Sequence, residues 1–309
     1  MTEFYPEGGL KDRIDNRYYL KSLTNLSQAK NEQRILEARA IVCDAQHNLI
    51  VDLECCKGII YREEGALGIK EGTVRDIAVI SRVNRPVCFV VTGFEKDEVG
   101  NTRAVLSRTI AQKRCMQEYL LKLTPGDIIP AKITHIEAFG AFADVGCGIA
   151  SLMPIDTISV SRIDNPRQRF TVGMNIMAVV KLNEGGRISL SMKELLGTWQ
   201  QNADRFSIGE TVSGIIRSVE EYGAFVELTP NLAGLAELKK NIAPGMLASV
   251  YIKNIIPEKM KVKLIIIETF ENNYRPEPPY YYITEGHLST FKYSPDGCER
   301  SIVTVFDKC

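Results

Sequence analysis

Covalent chemistry in this chain would have to come from eight cysteines, three histidines and a few adjacent carboxylates. Their spacing assembles none of the arrangements such chemistry needs. The cysteines, at positions 43, 55, 56, 88, 115, 147, 298 and 309, form no C-x-x-C pair and no regular interval, which fits reduced thiols rather than a disulfide framework or a zinc site. Adjacent Cys55 and Cys56 read as a strand end. His47, His135 and His287 stand apart from ligand partners in sequence, and an isolated histidine is more often structural than metal-binding; no metal and no cofactor are expected. Glu63-Glu64 and Glu220-Glu221 are immediate neighbours, which a strand points to opposite faces, so neither makes an acid-base couple. No Walker loop, strand-borne G-x-G-x-x-G, G-x-S-x-G elbow or H-E-x-x-H occurs. No catalytic residues are assigned, and a non-enzymatic protein is expected.

A different pattern does recur. Residues 126–152 (GDIIPAKITHIEAFGAFADVGCGIASL) align without a gap on residues 209–235 (GETVSGIIRSVEEYGAFVELTPNLAGL). The shared frame is a glycine, a β-rich run, Glu137 or Glu220, an aromatic (Phe139 or Tyr222), Gly-Ala-Phe, then leucine. GMNIMAVVKL (173–182) falls on GMLASVYIKN (245–254), with Lys181 over Lys253. Two copies of one supersecondary unit are therefore present. The first carries an extra loop around Thr157–Asn165, as surface loops tolerate. A degenerate third copy lies upstream in HNLIVDLECCKGIIYREEG (47–65), where His47 and Ile50 stand at the positions of Phe139 and Phe142.

Each copy consists of short runs rich in Val, Ile and Phe, punctuated by Gly and Asn/Asp, as at Asn183–Gly186. Strands this short that must avoid exposed edges suggest a small closed five-stranded barrel of the OB type. The expected fold is all-β: tandem barrels joined by short α-helical linkers, with helix signals at roughly Leu23–Ala40, Thr109–Leu123 and Met192–Phe206. The expected organisation is an N-terminal segment 1–34, repeat one 35–110, a linker helix 111–124, repeat two 125–195, a linker helix 196–207, repeat three 208–270 and a C-terminal extension 271–309. In the extension a Pro-rich spacer precedes three candidate strands, turning at Glu285-Gly286 and Pro295–Gly297.

Lys plus Arg and Asp plus Glu both number 38, so the net charge is zero and the chain is no polycation. Tight, purely electrostatic nucleic-acid binding is disfavoured, whereas local basic strips combined with aromatic stacking stay open. The acidic, polar start differs from a signal peptide and no apolar run reaches membrane-spanning length. A cytoplasmic protein with no membrane partner is expected.

The run GDIIPAKITHIEAFGAFADVG, closed by GRISLSMKE (186–194), resembles the S1 RNA-binding domain family, strongly over 126–195, well over 209–267 and weakly over 35–110. The resemblance implies a single-stranded RNA face built from two aromatics on the second strand, a histidine at the start of the third, and an Asp and an Arg near the last hairpin. In repeat two these positions hold Phe139, Phe142, Pro154, Asn183 and Arg187. Repeat three has Tyr222, Phe225 and Glu237, with Lys261 in place of the Arg. Repeat one has His47, Ile50 and Tyr61, with Arg103 retained. The expected RNA-binding set is Phe139, Phe142, Lys132, Asn183, Arg187 and Lys193 in repeat two, and Tyr222, Phe225, Lys253 and Lys261 in repeat three. Arg162, Arg167, Arg169 and Lys181 stand ready for phosphate. Repeat two ranks first as a platform; repeat one, lacking rings, reads as structural or protein-contacting. Implied partners are single-stranded RNA, mRNA above all, and the small ribosomal subunit; the alternative is a protein-interaction scaffold on the ribosome or an RNA-processing complex.

Residue patterns alone leave points open. A Gly-Ala-Phe run equally fits a filled barrel core, so periodicity leaves Phe142 and Phe225 between core and face. Residues three apart cannot both lie squarely on one face of a regular strand; a bulge or strong twist at Gly140 would be needed to bring Phe139 and Phe142 together.

Overall fold

In a computed structural model, which describes residues 4–271 and 276–307, the chain forms three closed five-stranded barrels in sequence. The first contains β1 (Ile35–Cys43), β2 (Leu49–Asp52), β3 (Lys57–Ile60), β4 (Pro86–Lys96) and β5 (Thr102–Ser107). The second contains β6 (Ile128–Glu137), β7 (Gly140–Asp144), β8 (Ala150–Pro154), β9 (Asn175–Glu184) and β10 (Arg187–Ser191). The third contains β11 (Thr211–Glu220), β12 (Gly223–Thr229), β13 (Leu232–Ala236), β14 (Leu247–Ile256) and β15 (Lys261–Phe270). Helices are few and short: α1 (Ile14–Leu20), α2 (Leu23–Asn31), α3 (Ile77–Ile80), α4 (Arg108–Glu118) and α5 (Trp199–Ala203).

Alternation makes the barrels. In β7, Ala141 and Ala143 are fully buried on either side of half-buried Phe142, so the small residues fill the narrow interior and the ring is sent outward. Val51, Ile60, Phe89 and Leu106 fill the first barrel, and Val226, Leu232, Ile252 and Leu264 the third. Each barrel closes through a parallel pairing of its third and last strands: Gly58 to Ile60 with Ala104 to Leu106, Leu152 with Ser189, and Leu235 and Ala236 with Lys263 and Leu264. The closed barrels leave no strand edge of their own for pairing with another chain.

Several local expectations change. The helix expected over Leu23–Ala40 ends at Asn31 as α2, and Ile35–Cys43 is a strand; Gln33 takes a left-handed turn (φ 50) between them, and pairing of the segment with β2 and β4 overrides the helix signal. Cys55 and Cys56 lie in the turn between β2 and β3 rather than in a strand. In the extension two strands form, β16 (Thr290–Lys292) and β17 (Val303–Val305), while the third candidate supplies only an isolated bridge from His287 to Asp127. Residues 272–275 of the extension, and Cys309, lie outside the described residues. The extension packs on barrel three through Phe291, Tyr293 and Phe306, with the Tyr293 hydroxyl donating to the Asn231 carbonyl at 2.6 Å.

The chain divides into two compact units. One comprises Met1–Leu123, Pro130–Lys132 and Asp144–Ala150; the other comprises Thr124–Ile129, Ile133–Ala143 and Ser151–Cys309. The first is organised around a buried charge cluster. Glu7 is held at 2.8 Å by Arg108 and at 3.2 Å by Arg82, and its amide donates to Asp144 at 2.7 Å. Burial opposes the Glu7 charge, but the two guanidiniums keep its carboxyl below the usual range. Glu37, also buried, accepts the Gly8 and Leu10 amides at 2.8 and 3.1 Å. Removing one member of such a pair typically costs about 3–5 kcal/mol, because the other is left charged and dry.

Glycines position the hairpins. A Cβ on Gly140 would lie 2.5 Å from the Met153 carbonyl oxygen, and one on Gly223 (φ 153) 2.6 Å from that of Ala236. Only glycine lets the third strand come this close. Gly140→Ala is therefore expected to destabilise the chain by about 1–3 kcal/mol through overpacking, read as a lowered urea midpoint; an unchanged midpoint refutes the close-approach argument.

Burial pushes the carboxyls of Glu37 and of Asp144 up to about 7, with the neighbouring Glu7 charge adding to each. A raised carboxyl pKa means the folded state binds the proton more tightly than the unfolded chain, so this stabilisation is complete below the ordinary carboxylate range and lost as pH rises through about 7. The thermal midpoint should fall over that interval, with a shallower slope in Glu37→Gln; equal slopes for the two proteins would refute the assignment.

Candidate nucleic-acid interface

Two ring pairs stand out on the barrel surfaces, and they have the same geometry. Phe139 and Phe142 meet edge to face with centroids 6.2 Å apart and planes at 89°; Tyr222 and Phe225 do so at 6.2 Å and 88°. Phe139 and Tyr222 are 58% and 70% exposed, with Phe142 and Phe225 half-buried behind them. The sidedness problem is resolved without a bulge at the glycine. Phe139 and Tyr222 sit in the two-residue turns that follow Glu137 and Glu220, and only the second ring belongs to the strand. In barrel three the register shift of this hairpin lies between Ile216 and Ser218 instead. The Ile155 amide donates to the Phe139 carbonyl at 2.9 Å, fixing the turn.

The position expected at the start of the third strand is at its end: Pro154 closes β8, Glu237 follows β13 and Tyr61 follows β3. Barrel three surrounds its rings with a groove of about 530 Å³ lined by Tyr222, Phe225, Glu237, Lys253, Lys261 and Lys263. Lys263 was not among the expected residues. It belongs to one continuous cross-strand row, Ser218, Phe225, Leu235, Lys263 and Asn254, and that row exists only because the barrel closes. Alternating exposure along β15, with Lys261, Lys263 and Ile265 outward, was the available sequence signal. The arrangement suits a base stacked on the rings with its backbone beside three ammonium groups, diminished by one carboxylate.

In barrel two the expected cations disperse. Arg187 is exposed at the start of β10. Lys193 donates to the Asp156 carbonyl at 3.3 Å, one residue beyond the Ile155 that Phe139 holds. The Asn183 side-chain carbonyl accepts the Gly186 amide at 3.0 Å, closing the hairpin before Arg187. Lys132 is spent internally: its ammonium group is part-buried and donates to the Glu7 carbonyl at 3.0 Å. His135, not among the expected residues, lies with its ring tilted 36° to Phe142 at 6.2 Å and bonds Glu137 at 2.6 Å. Arg169 is also buried, in an ion pair with Glu227.

Barrel one has a face that satisfies itself. Its equivalent row is Ile50, Ile59, Val105 and Gly93, without ring or cation. The Tyr61 hydroxyl donates to Glu95 at 2.8 Å and Arg103 pairs with the same carboxylate at 2.6 Å. The Glu95 bond raises the Tyr61 pKa, and although burial opposes it, the separate bond from Arg103 to Glu95 raises that of Arg103. His47, at φ 63, faces Asp76 at 3.3 Å, which also binds Arg62 at 2.7 Å. Three of the dispersed cysteines do meet: Cys147 is in hydrogen-bond contact with Cys115 and Cys88, and those bonds hold its thiol below the usual range. No group of His, Cys, Asp or Glu among the described residues could hold a metal ion.

Comparison with known proteins completes the picture. The S1 RNA binding domain family model matches residues 122–193. The small ribosomal subunit protein bS1 homolog of Bacillus subtilis is 31% identical over 289 residues, covering 85% of this chain and 72% of the relative. The small ribosomal subunit proteins bS1 of Rhodopseudomonas palustris and Leuconostoc lactis are each 30% identical, over 69% and 74% of this chain but only 39% and 52% of their own lengths. The chain thus spans about half or less of these two relatives. By its tandem barrels and its match to the Bacillus subtilis relative, the chain belongs to the bS1 family of small ribosomal subunit proteins.

Proposed function

We propose that the chain binds single-stranded RNA, mRNA above all, on the outer faces of barrels two and three, and acts in the cytoplasm in translation beside the small ribosomal subunit without catalysing a reaction. The observation that carries this reading is the duplicated ring pair: one open ring and one supporting ring at the same separation and angle in both barrels. Duplication at this precision is not needed to fill a core, because the interior is already filled by Ala141, Ala143, Ala224 and Val226. Barrel three joins barrel two as a platform, its three lysines outweighing Glu237. Phe139, Phe142, Arg187 and Lys193 are the proposed contacts in barrel two, and Tyr222, Phe225, Lys253, Lys261 and Lys263 those in barrel three. Linking two weak modules raises avidity through effective concentration.

A second role suits barrel one. With Arg103 and Tyr61 both committed to Glu95, this barrel offers RNA little and is proposed as a contact for protein.

The test is fluorescence anisotropy of a labelled unstructured RNA with the wild type, Phe139→Ala/Phe142→Ala and Tyr222→Ala/Phe225→Ala, each at two salt concentrations. Stacking is worth about 1–3 kcal/mol per base, so each double variant should weaken binding by about tenfold or more, and higher salt should weaken all three proteins. Undiminished binding by both variants refutes the ring faces. Ribosome co-sedimentation that survives ring removal would favour the scaffold reading.

A further inference from the structure

We infer that a cavity on the other part of barrel three, roofed by the C-terminal extension, is a second nucleotide-binding site that takes one base and its adjoining phosphate from single-stranded RNA. It rests on the RNA-binding reading above but shares no lining residue with the groove around Tyr222 and Phe225.

The cavity measures about 430 Å³ and is bounded by the first half of β11, the end of β12 and the proline-rich strip at 276–279. That is within the range of small-ligand pockets. Its lining holds three arginines, Arg169, Arg205 and Arg217, against two carboxylates, Glu227 and Glu277, so the site carries an excess of positive charge in a chain whose total is zero. Arg217 grips Glu227 with two bonds of 2.8 and 3.0 Å and donates to Gln168 at 3.2 Å; Arg169 holds the same carboxylate. These guanidiniums are fixed before any ligand arrives, so little ordering cost remains on binding.

The mouth supplies the second half of the chemistry. Tyr280 is 68% exposed, between half-buried Pro279 and Tyr281. Tyr282 meets it edge to face at 5.2 Å and is itself anchored by a 2.9 Å bond from its hydroxyl to the Gln201 carbonyl. The exposed guanidinium of Arg205 lies 5.7 Å from the Tyr280 ring centroid. An open ring, held from behind and flanked by a cation, is what a base and its phosphate require. An acidic peptide would use the arginines but leave the ring idle, and the ring decides the assignment.

The test is photocrosslinking of an unstructured RNA containing 4-thiouridine to the full chain, with crosslinks mapped by mass spectrometry, alongside anisotropy. Four variants are compared with the wild type: Tyr280→Ala, Tyr280→Phe, Arg205→Ala, and a face variant carrying Phe139→Ala, Phe142→Ala, Tyr222→Ala and Phe225→Ala. A crosslink within residues 276–282 that persists in the face variant and vanishes in Tyr280→Ala supports the site. So does a loss of affinity of about tenfold in Tyr280→Ala and in Arg205→Ala that Tyr280→Phe restores. Crosslinks confined to the barrel rings, with unchanged affinity in Tyr280→Ala and Arg205→Ala, overturn this inference and leave the ring faces standing. Crosslinks at Tyr280 alone would do the reverse. Displacement by a polyglutamate peptide and not by uridylate marks an acidic protein as the occupant and also overturns it.

Discussion

Barrel closure through the parallel pairing of third and last strands is the constraint on which the outer surface depends. A meander of five short strands would leave two edges open and its surface residues in separate hairpins. The pairing of Leu235 with Lys263 joins those hairpins into one row, so that Phe225 from β12 and Lys263 from β15 become neighbours across the seam. Ring and cation therefore owe their proximity to a backbone ladder rather than to each other. The same seam in barrel one aligns Ile59 with Val105, which shows that closure creates the row while side-chain identity decides what it offers.

The three barrels thus separate architecture from surface chemistry. All have the same strand order, and each interior is filled by buried apolar residues. Barrels two and three leave rings open at the first hairpin. Barrel one resolves its face internally, with one carboxylate, Glu95, serving both Tyr61 and Arg103. Two committed partners cost a ligand more to displace than two hydrated ones.

Repeats, strand-rich copies and closed barrels were legible because they rest on local rules: period-two burial, glycine at close approaches and punctuation at turns. The ring pairs were legible as residues but not as geometry, because the boundary between turn and strand decides which face Phe139 takes, and that boundary is set by the approach of Met153 to Gly140. Lys132 resembled any strand cation. Its partner, the Glu7 carbonyl, is 125 residues away, and no local pattern announces such a contact. The meeting of Cys88, Cys115 and Cys147 was hidden for the same reason. Arg169 looked ready for phosphate, yet its charge is answered by Glu227 in another barrel's strand.

The Glu7 and Arg108 pair bears on how the molecule can be dissected. By strand boundaries, barrel one begins at Ile35, and a fragment cut there would keep every barrel residue. It would also strip the counterion from Arg108, which is 2% exposed, and the amides that Glu37 accepts. Asp144, whose segment Asp144–Ala150 follows from barrel two, belongs with the same unit. The modules that repeat in sequence are therefore not the modules that can be separated, and the segment before Ile35 is a structural member of the first unit.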